Sequence, residues 1–173
     1  MSEPPQAKLH GQVHAECKRE LGSQTDRGAA ILGATFLEVR LEEAIRSRLV
    51  GTGDPVESLF RGGAALGTFS AKTDMAFALG FYGPKVHRDL TLIGRIRDRF
   101  ARDLGAVSFA SSDVATQCGE LWFPRNVRGY GEESGPKEPR GQFVFTVLLI
   151  FNLLVTEMRD NMPELRTSRF FST

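Results

Sequence analysis

The stretch DRGAAILGATFLEVRLEEAIRSRLV, residues 26–50, decides the fold. Leu37, Leu41 and Ile45 recur every four residues, with Ala30, Ala34 and Ala44 close by on the same side. Glu38, Arg40, Glu42, Glu43, Arg46 and Arg48 fill mainly the other positions, so the spacing predicts a long amphipathic helix. Ser23, Thr25 and Asp26 all offer N-cap oxygens, and Glu42 stands four residues before Arg46, the favourable order for a helical ion pair. Gly28, Ala29, Ala30, Gly33 and Ala34 lay small side chains along this segment, which permits close approach of a neighbouring helix. The run GTGDP at 51–55 ends it.

Working outward, the same periodicity returns between Pro84 and Leu104, where Leu90, Ile93, Ile96, Phe100 and Leu104 follow steps of three and four. The two long helices are expected to pack through Leu37, Leu41, Ile45, Ile93, Ile96 and Phe100. Between them, Gly62, Gly63 and Gly67 predict a loop, and Phe69 to Leu79 a short helix with Ser70 as a cap. Gly80 to Pro84 reads as a turn, with Pro84 suited to a first helical turn. Shorter helices are expected over Leu9–Leu21 and Ser111–Leu121, an exposed loop over Arg125–Gly141, and a final helix over Gln142–Arg159. The expectation is therefore all-α: a single-domain bundle of about five to seven helices over 9–160, with a mobile tail at 1–8 and a C-terminal tail at 161–173.

Composition narrows the function classes. The 22 basic and 21 acidic residues nearly cancel to a formal charge of +1, which argues against a protein held on nucleic acid mainly by phosphates. Direct sequence-specific DNA binding is not expected, since no recognition helix stands out. Cys17 and Cys118 lack CxxC spacing, which fits a reducing cytosol. The opening MSEPPQAK carries no apolar stretch, so no signal peptide is expected. The apolar run FVFTVLLIFNLLV, 143–155, falls short of the ~20 residues of a membrane span and reads as a buried core helix. The expected location is cytoplasmic, without membrane association.

Among chemistry-bearing residues, His10, His14 and Cys17 share one helical face but lack a fourth ligand, so no metal site is expected. Arg88, Arg95, Arg99 and Arg102 form a basic stripe at spacings of seven, four and three, suited to a solvated face, a partner or a phosphate backbone. Asp26 with Arg27, Lys72 with Asp74, and Arg97 with Asp98 are candidate functional or structural ion pairs. No Ser–His–Asp set, Walker loop, GxGxxG or HExxH occurs, so no catalytic residues and no cofactor are expected.

Three blocks in order, DRGAAILGATFLE (26–38), LGTFSAKTDMAFALG (66–80) and HRDLTLIGRIRDRFARDL (87–104), resemble the mannitol operon repressor (MtlR-like) family. The resemblance implies an all-helical, non-enzymatic transcriptional regulator or co-repressor that acts through a protein partner. Within the last block, IRDRFARDL (96–104) is distantly similar to the HEPN helical superfamily of ribonucleases, whose pattern runs from Arg through a polar residue to His. Arg97 and Asp98 match, but Arg102 stands where the His would fall. Arginine does not give up its proton near neutral pH, so that resemblance implies at most a degenerate RNA-binding or RNA-processing protein. The small-residue face near Gly28, Ala29 and Gly33, with the apolar 143–155 run, suggests a homodimer through one of those helices.

Overall fold

The computed structural model describes residues 5–103, 105–126 and 135–160. Over these the chain is all-α, with eight helices and no strand among the described residues. The order is α1 (Pro5–Ser23), α2 (Asp26–Arg46), α3 (Asp54–Phe60), α4 (Phe69–Ala78), α5 (Pro84–Arg102), α6 (Ser112–Gly119), α7 (Phe123–Asn126) and α8 (Pro139–Asp160).

The amphipathic segment read first is the centre of the bundle. Leu37, Leu41, Ala44 and Ile45 are fully buried, and α2 packs against α8, α5, α4 and α1. Thr25 caps it, its hydroxyl accepting from the Gly28 N–H at 3.1 Å. The small residues Ala29, Ala30, Gly33 and Ala34 are all buried, and Gly33 faces α8. A Cβ on Gly33 would lie 3.1 Å from the Phe143 ring and 3.3 Å from a Val147 methyl, so glycine there sets how deeply α8 seats. At Gly33 the helix that approaches closely is α8 of the same chain. The outward side of α2 keeps Ile31 and Val39 exposed.

The second long segment is α5, with Leu90, Ile93, Ile96 and Phe100 fully buried against α2 and α4. It ends at Arg102, and Leu104 lies outside the described residues. Between α4 and α5 the chain turns through Gly80, whose φ of 78° is a left-handed value. The Phe81 N–H reaches the Ala76 carbonyl at 3.1 Å and the Gly80 N–H reaches Phe77 at 2.9 Å. This pair of hydrogen bonds is the Schellman stop that glycine makes accessible.

Several expectations need correction. The cap of α4 is Thr68, which accepts from Ala71 N–H at 3.2 Å, and not Ser70. The all-α bundle holds eight helices among the described residues, since α3 and α7 form in stretches where no helix was expected. In α3 the proline of Asp54-Pro55 sits in the first turn, where its missing N–H costs nothing. Pro5 to Lys8 belong to α1 and not to a tail, while residues 1–4 and the tail at 161–173 lie outside the described residues. Within the expected loop, Arg125 and Asn126 are helical, α8 starts at Pro139, and 127–134 lie outside the described residues. The final helix is longer than the apolar run suggested, and Pro139–Thr156 is long and apolar enough to cross a membrane. Here it is a packing element: Phe143, Val147, Ile150 and Leu154 are buried, and α8 contacts α1, α2, α5, α6 and α7.

Replacing Gly33 by valine should overpack the α2–α8 contact and cost about 1–3 kcal/mol. Thermal melting followed by circular dichroism is expected to show a fall in Tm of several degrees. An unchanged Tm would mean that α8 does not seat against Gly33.

Candidate interaction surface

Lys72 is the least expected side chain in the bundle, an ammonium only 7% exposed in the middle of α4. Burial opposes its charge, and two carboxylates of α2 answer it: Glu38 at 3.1 Å and Glu42 at 2.9 Å. The chain of contacts continues both ways. Glu42 meets Arg46 at 2.9 Å, and Arg46 reaches Glu57 of α3 at 2.8 Å while stacking on the Phe60 ring at 4.0 Å. On the other side Glu38 lies 3.7 Å from Arg97 of α5, Arg97 lies 2.8 Å from Asp98, and Asp98 lies 2.8 Å from Arg102. One ladder of alternating charge thus ties α3, α2, α4 and α5 together.

Burial alone would raise the Glu42 carboxyl, but hydrogen bonds from Lys72 and Arg46 outweigh it and hold Glu42 below its ordinary value. Burial likewise works against the Lys72 charge, and the bonds to Glu42 and Glu38 raise it above the ordinary lysine value instead. Asp98 is held low in the same manner, burial being overcome by hydrogen bonds from Arg97 and Arg102.

A second junction gathers where the first turn of α2 meets the C-terminal end of α5. Arg27 donates to the carbonyls of Phe100, Asp103 (2.7 Å) and Gly105 (3.0 Å), which lie beyond the reach of α5's own N–H groups. Asp26 accepts from the Phe109 N–H at 2.9 Å and from Arg140 of α8 at 2.9 Å. Arg140 also donates to the carbonyls of Leu21 and Gln24, closing the end of α1. Asp89 has no exposure and accepts from the Trp122 N–H at 2.9 Å and the Phe123 N–H at 3.4 Å, which fixes α7 on α5. Burial pushes its carboxyl above the ordinary aspartate value against those hydrogen bonds.

The basic stripe of α5 is largely neutralised. Arg88 pairs with Glu120 at 3.5 Å, Arg99 with Asp113 at 2.7 Å and with Asp103, and Arg102 with Asp98. Arg95 is exposed and has no partner among the described residues. It stands between two clefts. The larger, about 710 Å³, is lined by Arg95, Asp98, Arg99, Arg102, Asp103 and Gln117. The smaller, about 300 Å³, runs between α4 and α5 past Phe69, Gly94, Arg95 and Asp98.

The candidate pairs are thus arranged differently from their order in the chain. Arg97 and Asp98 do touch, whereas Asp26 and Arg27 face different partners, and so do Lys72 and Asp74. Asp74 accepts from or donates to nothing on Lys72; it meets His87 at 2.8 Å, beside the Phe77 ring. Of the three residues considered for a metal, Cys17 is buried and free, and the side chain of His10 lies outside the described residues. The expected Glu42–Arg46 pair forms, but sequence reasoning missed Glu38, Asp89, Arg140 and the bond of Glu42 to Lys72. The i, i+4 spacing of Glu38 and Glu42 on α2 was the available signal, since it aligns two carboxylates toward one cation. Arg140 gave no signal, lying in a stretch that reads as loop.

Fold and surface together define an all-helical bundle whose charges mostly join helix to helix, with one mixed-charge cleft left open at Arg95. No family model matches the sequence, and no curated protein does. Among solved structures the chain is similar to one in the X-ray structure of the MtlR–HPr complex from Escherichia coli, with a TM-score of 0.63 and 16% identity. The match covers 82% of this chain and 97% of that one, so nearly the whole of that MtlR-like fold is present. The similarity to the HEPN superfamily has no counterpart in these comparisons.

Lys72→Met removes the cation that Glu38 and Glu42 share. The expected loss is about 1–3 kcal/mol in urea unfolding, less than for a sealed pair because both carboxylates keep an arginine neighbour. The folded pKa of Glu42 lies below its unfolded value, so its contribution is present above about pH 4.5 and is lost as pH falls through the folded value. Stability measured from pH 7 to pH 3 should therefore fall less steeply in Lys72→Met than in the parent; parallel curves would contradict the linkage.

Proposed function

We propose that the chain is a regulator of the mannitol operon repressor type, a cytoplasmic, non-enzymatic module that works by binding a protein partner. The observation that carries the reading is the fold match, which extends over 97% of a chain solved in a complex with HPr. HPr, or a protein of its kind, is the first partner to test. Free, buried Cys17 and Cys118 fit a reducing compartment.

The ladder geometry supports the non-enzymatic part. A general acid–base pair needs a group free to exchange a proton near neutral pH. Arg97 is engaged with Asp98 and Glu38, and Arg102 with Asp98, so the positions that resemble the ribonuclease pattern act as helix-to-helix links. The near-neutral α5 face also supports control through protein contacts over direct operator reading.

Two measurements test this. Calorimetric titration of the chain with its host's own HPr should give a dissociation constant in the micromolar range or tighter, within the span that protein interfaces cover. No heat and no complex on gel filtration at millimolar HPr would refute HPr as the partner. Labelled single-stranded RNA and tRNA incubated with pure protein should stay intact. Cleavage that vanishes in Arg97→Ala would overturn the non-enzymatic assignment.

A further inference from the structure

Among the described residues, α3 is the helix that buries no side chain. It packs extensively against no other helix, whereas the other short helices, α6 and α7, both lie on α8. Its first turn has no side-chain cap, and the backbone bonds around it close on themselves. The Val56 and Glu57 N–H groups donate to the Gly53 carbonyl at 3.0 and 3.1 Å, and the Leu66 N–H donates to the Leu59 carbonyl at 2.8 Å. An isolated helix needs roughly 12–15 residues to be even marginally stable, so a seven-residue helix depends on whatever holds it. That hold is Arg46. Its guanidinium meets both Glu57 carboxylate oxygens, at 2.8 and 3.1 Å, and lies 4.0 Å from the centre of the Phe60 ring. Among the described residues, no other ion pair or side-chain hydrogen bond joins 51–67 to the rest of the chain. Glycines flank the helix on both sides, Gly51 and Gly53 before it and Gly62 and Gly63 after it. Gly53 and Gly63 hold φ values of 78° and 82°, which other residues rarely adopt.

We propose that α3 is a strap that opens from the bundle as one unit, swinging on glycine hinges at 51–53 and 62–63, with Arg46 as its latch. Opening is accessible because it strands no charge. Arg46 keeps Glu42 as its partner at 2.9 Å, and Glu57, already 54% exposed, passes into water. Breaking a sealed ion pair is costly when one member stays buried without its partner, and neither member does so here. The core is also left intact. Leu41, Ala44 and Ile45 face inward from α2, and Leu66, only 5% exposed, stays seated as the anchor beyond the second hinge. Released from Arg46, α3 is too short to stay helical, so undocking and unwinding are one event. The end of α2 thus has a closed form, in which α3 covers the Arg46 guanidinium, and an open form that presents it to solvent together with the Phe60 ring.

Hydrogen–deuterium exchange of the full chain, followed by mass spectrometry, tests this. In the parent, peptides spanning 54–63 should exchange faster than those of α2 and α4. Glu57→Gln unfastens the strap and leaves the contacts among Arg46, Glu42 and Lys72 in place. It should speed exchange across 54–63 at least ~10-fold, as the loss of hydrogen bonds between charged groups implies, and leave α2, α4 and α5 as they were. Arg46→Met, which removes the latch from the other side, should give the same rise across 54–63. Exchange over 54–63 that matches α2 in the parent, or that is unchanged in Glu57→Gln, would overturn the strap. A rise shared equally by all helices would overturn it too, since that is global loosening. So would a rise confined to the neighbours of residue 57, which is fraying and not the opening of a unit. A rise in Glu57→Gln that Arg46→Met fails to reproduce would remove Arg46 as the latch.

Discussion

A single buried ammonium organises this bundle. Lys72 points from α4 into α2, where water cannot solvate it, and only the carboxylates of Glu38 and Glu42 make that position tolerable. Both acids must then face α4 together, which fixes the rotation of α2 about its axis. Turning α2 to that angle carries Leu37, Leu41 and Ile45 into the core on the adjoining face. It also brings Glu38 near Arg97, so that α5 is registered against α2 by charge as well as by the apolar contact through Ile93, Ile96 and Phe100. Apolar stripes alone leave helices free to slide by a turn, whereas an ion pair with a desolvated member does not. A specifying role for the ladder follows from that difference.

The other side of α2 has the opposite chemistry. Gly33 carries no side chain, and α8 fills the space with Phe143 and Val147. Dispersion and the removal of apolar surface hold this face, with little directional content. Its orientation comes from the ends. Arg140 at the start of α8 bonds to Asp26 and to the carbonyls of Leu21 and Gln24, and Arg27 closes the end of α5 from the same turn of α2. The first turn of α2 is therefore the hub at which α1, α5 and α8 meet.

The two long helices and their buried faces were legible because period and burial coincide: Leu41 and Phe100 lie where a 3.6-residue repeat puts them. The short α3 and α7 were not. Seven and four residues carry too few turns for a period, and local glycine and proline outweighed it. Charge was the harder reading. Asp89 lies next to Arg88 of the basic stripe in the chain, yet it has no exposure and serves the backbone of Trp122 and Phe123. Lys72 beside Asp74 suggested a local pair, because sequence shows neighbours and not partners across helices. Glu38, 34 positions away, is one of the acids that Lys72 meets. The basic stripe of α5 was legible as spacing, but its neutralisation by Glu120 and Asp113 depends on how α6 folds back.

That neutralisation bears on what the surface can do. Eight charged side chains, from Glu57 through Arg102, are already held by their neighbours, so the face of α2, α4 and α5 is ordered before any partner arrives. Side chains held in this way need no further ordering, which would otherwise cost about 0.5–1.5 kcal/mol for each long one. A site built from many free arginines would lose several such amounts and would attract any polyanion. Here the pairings that join the helices leave few such side chains to be ordered, so the contacts that stabilise the bundle also keep this face from being a general trap for polyanions.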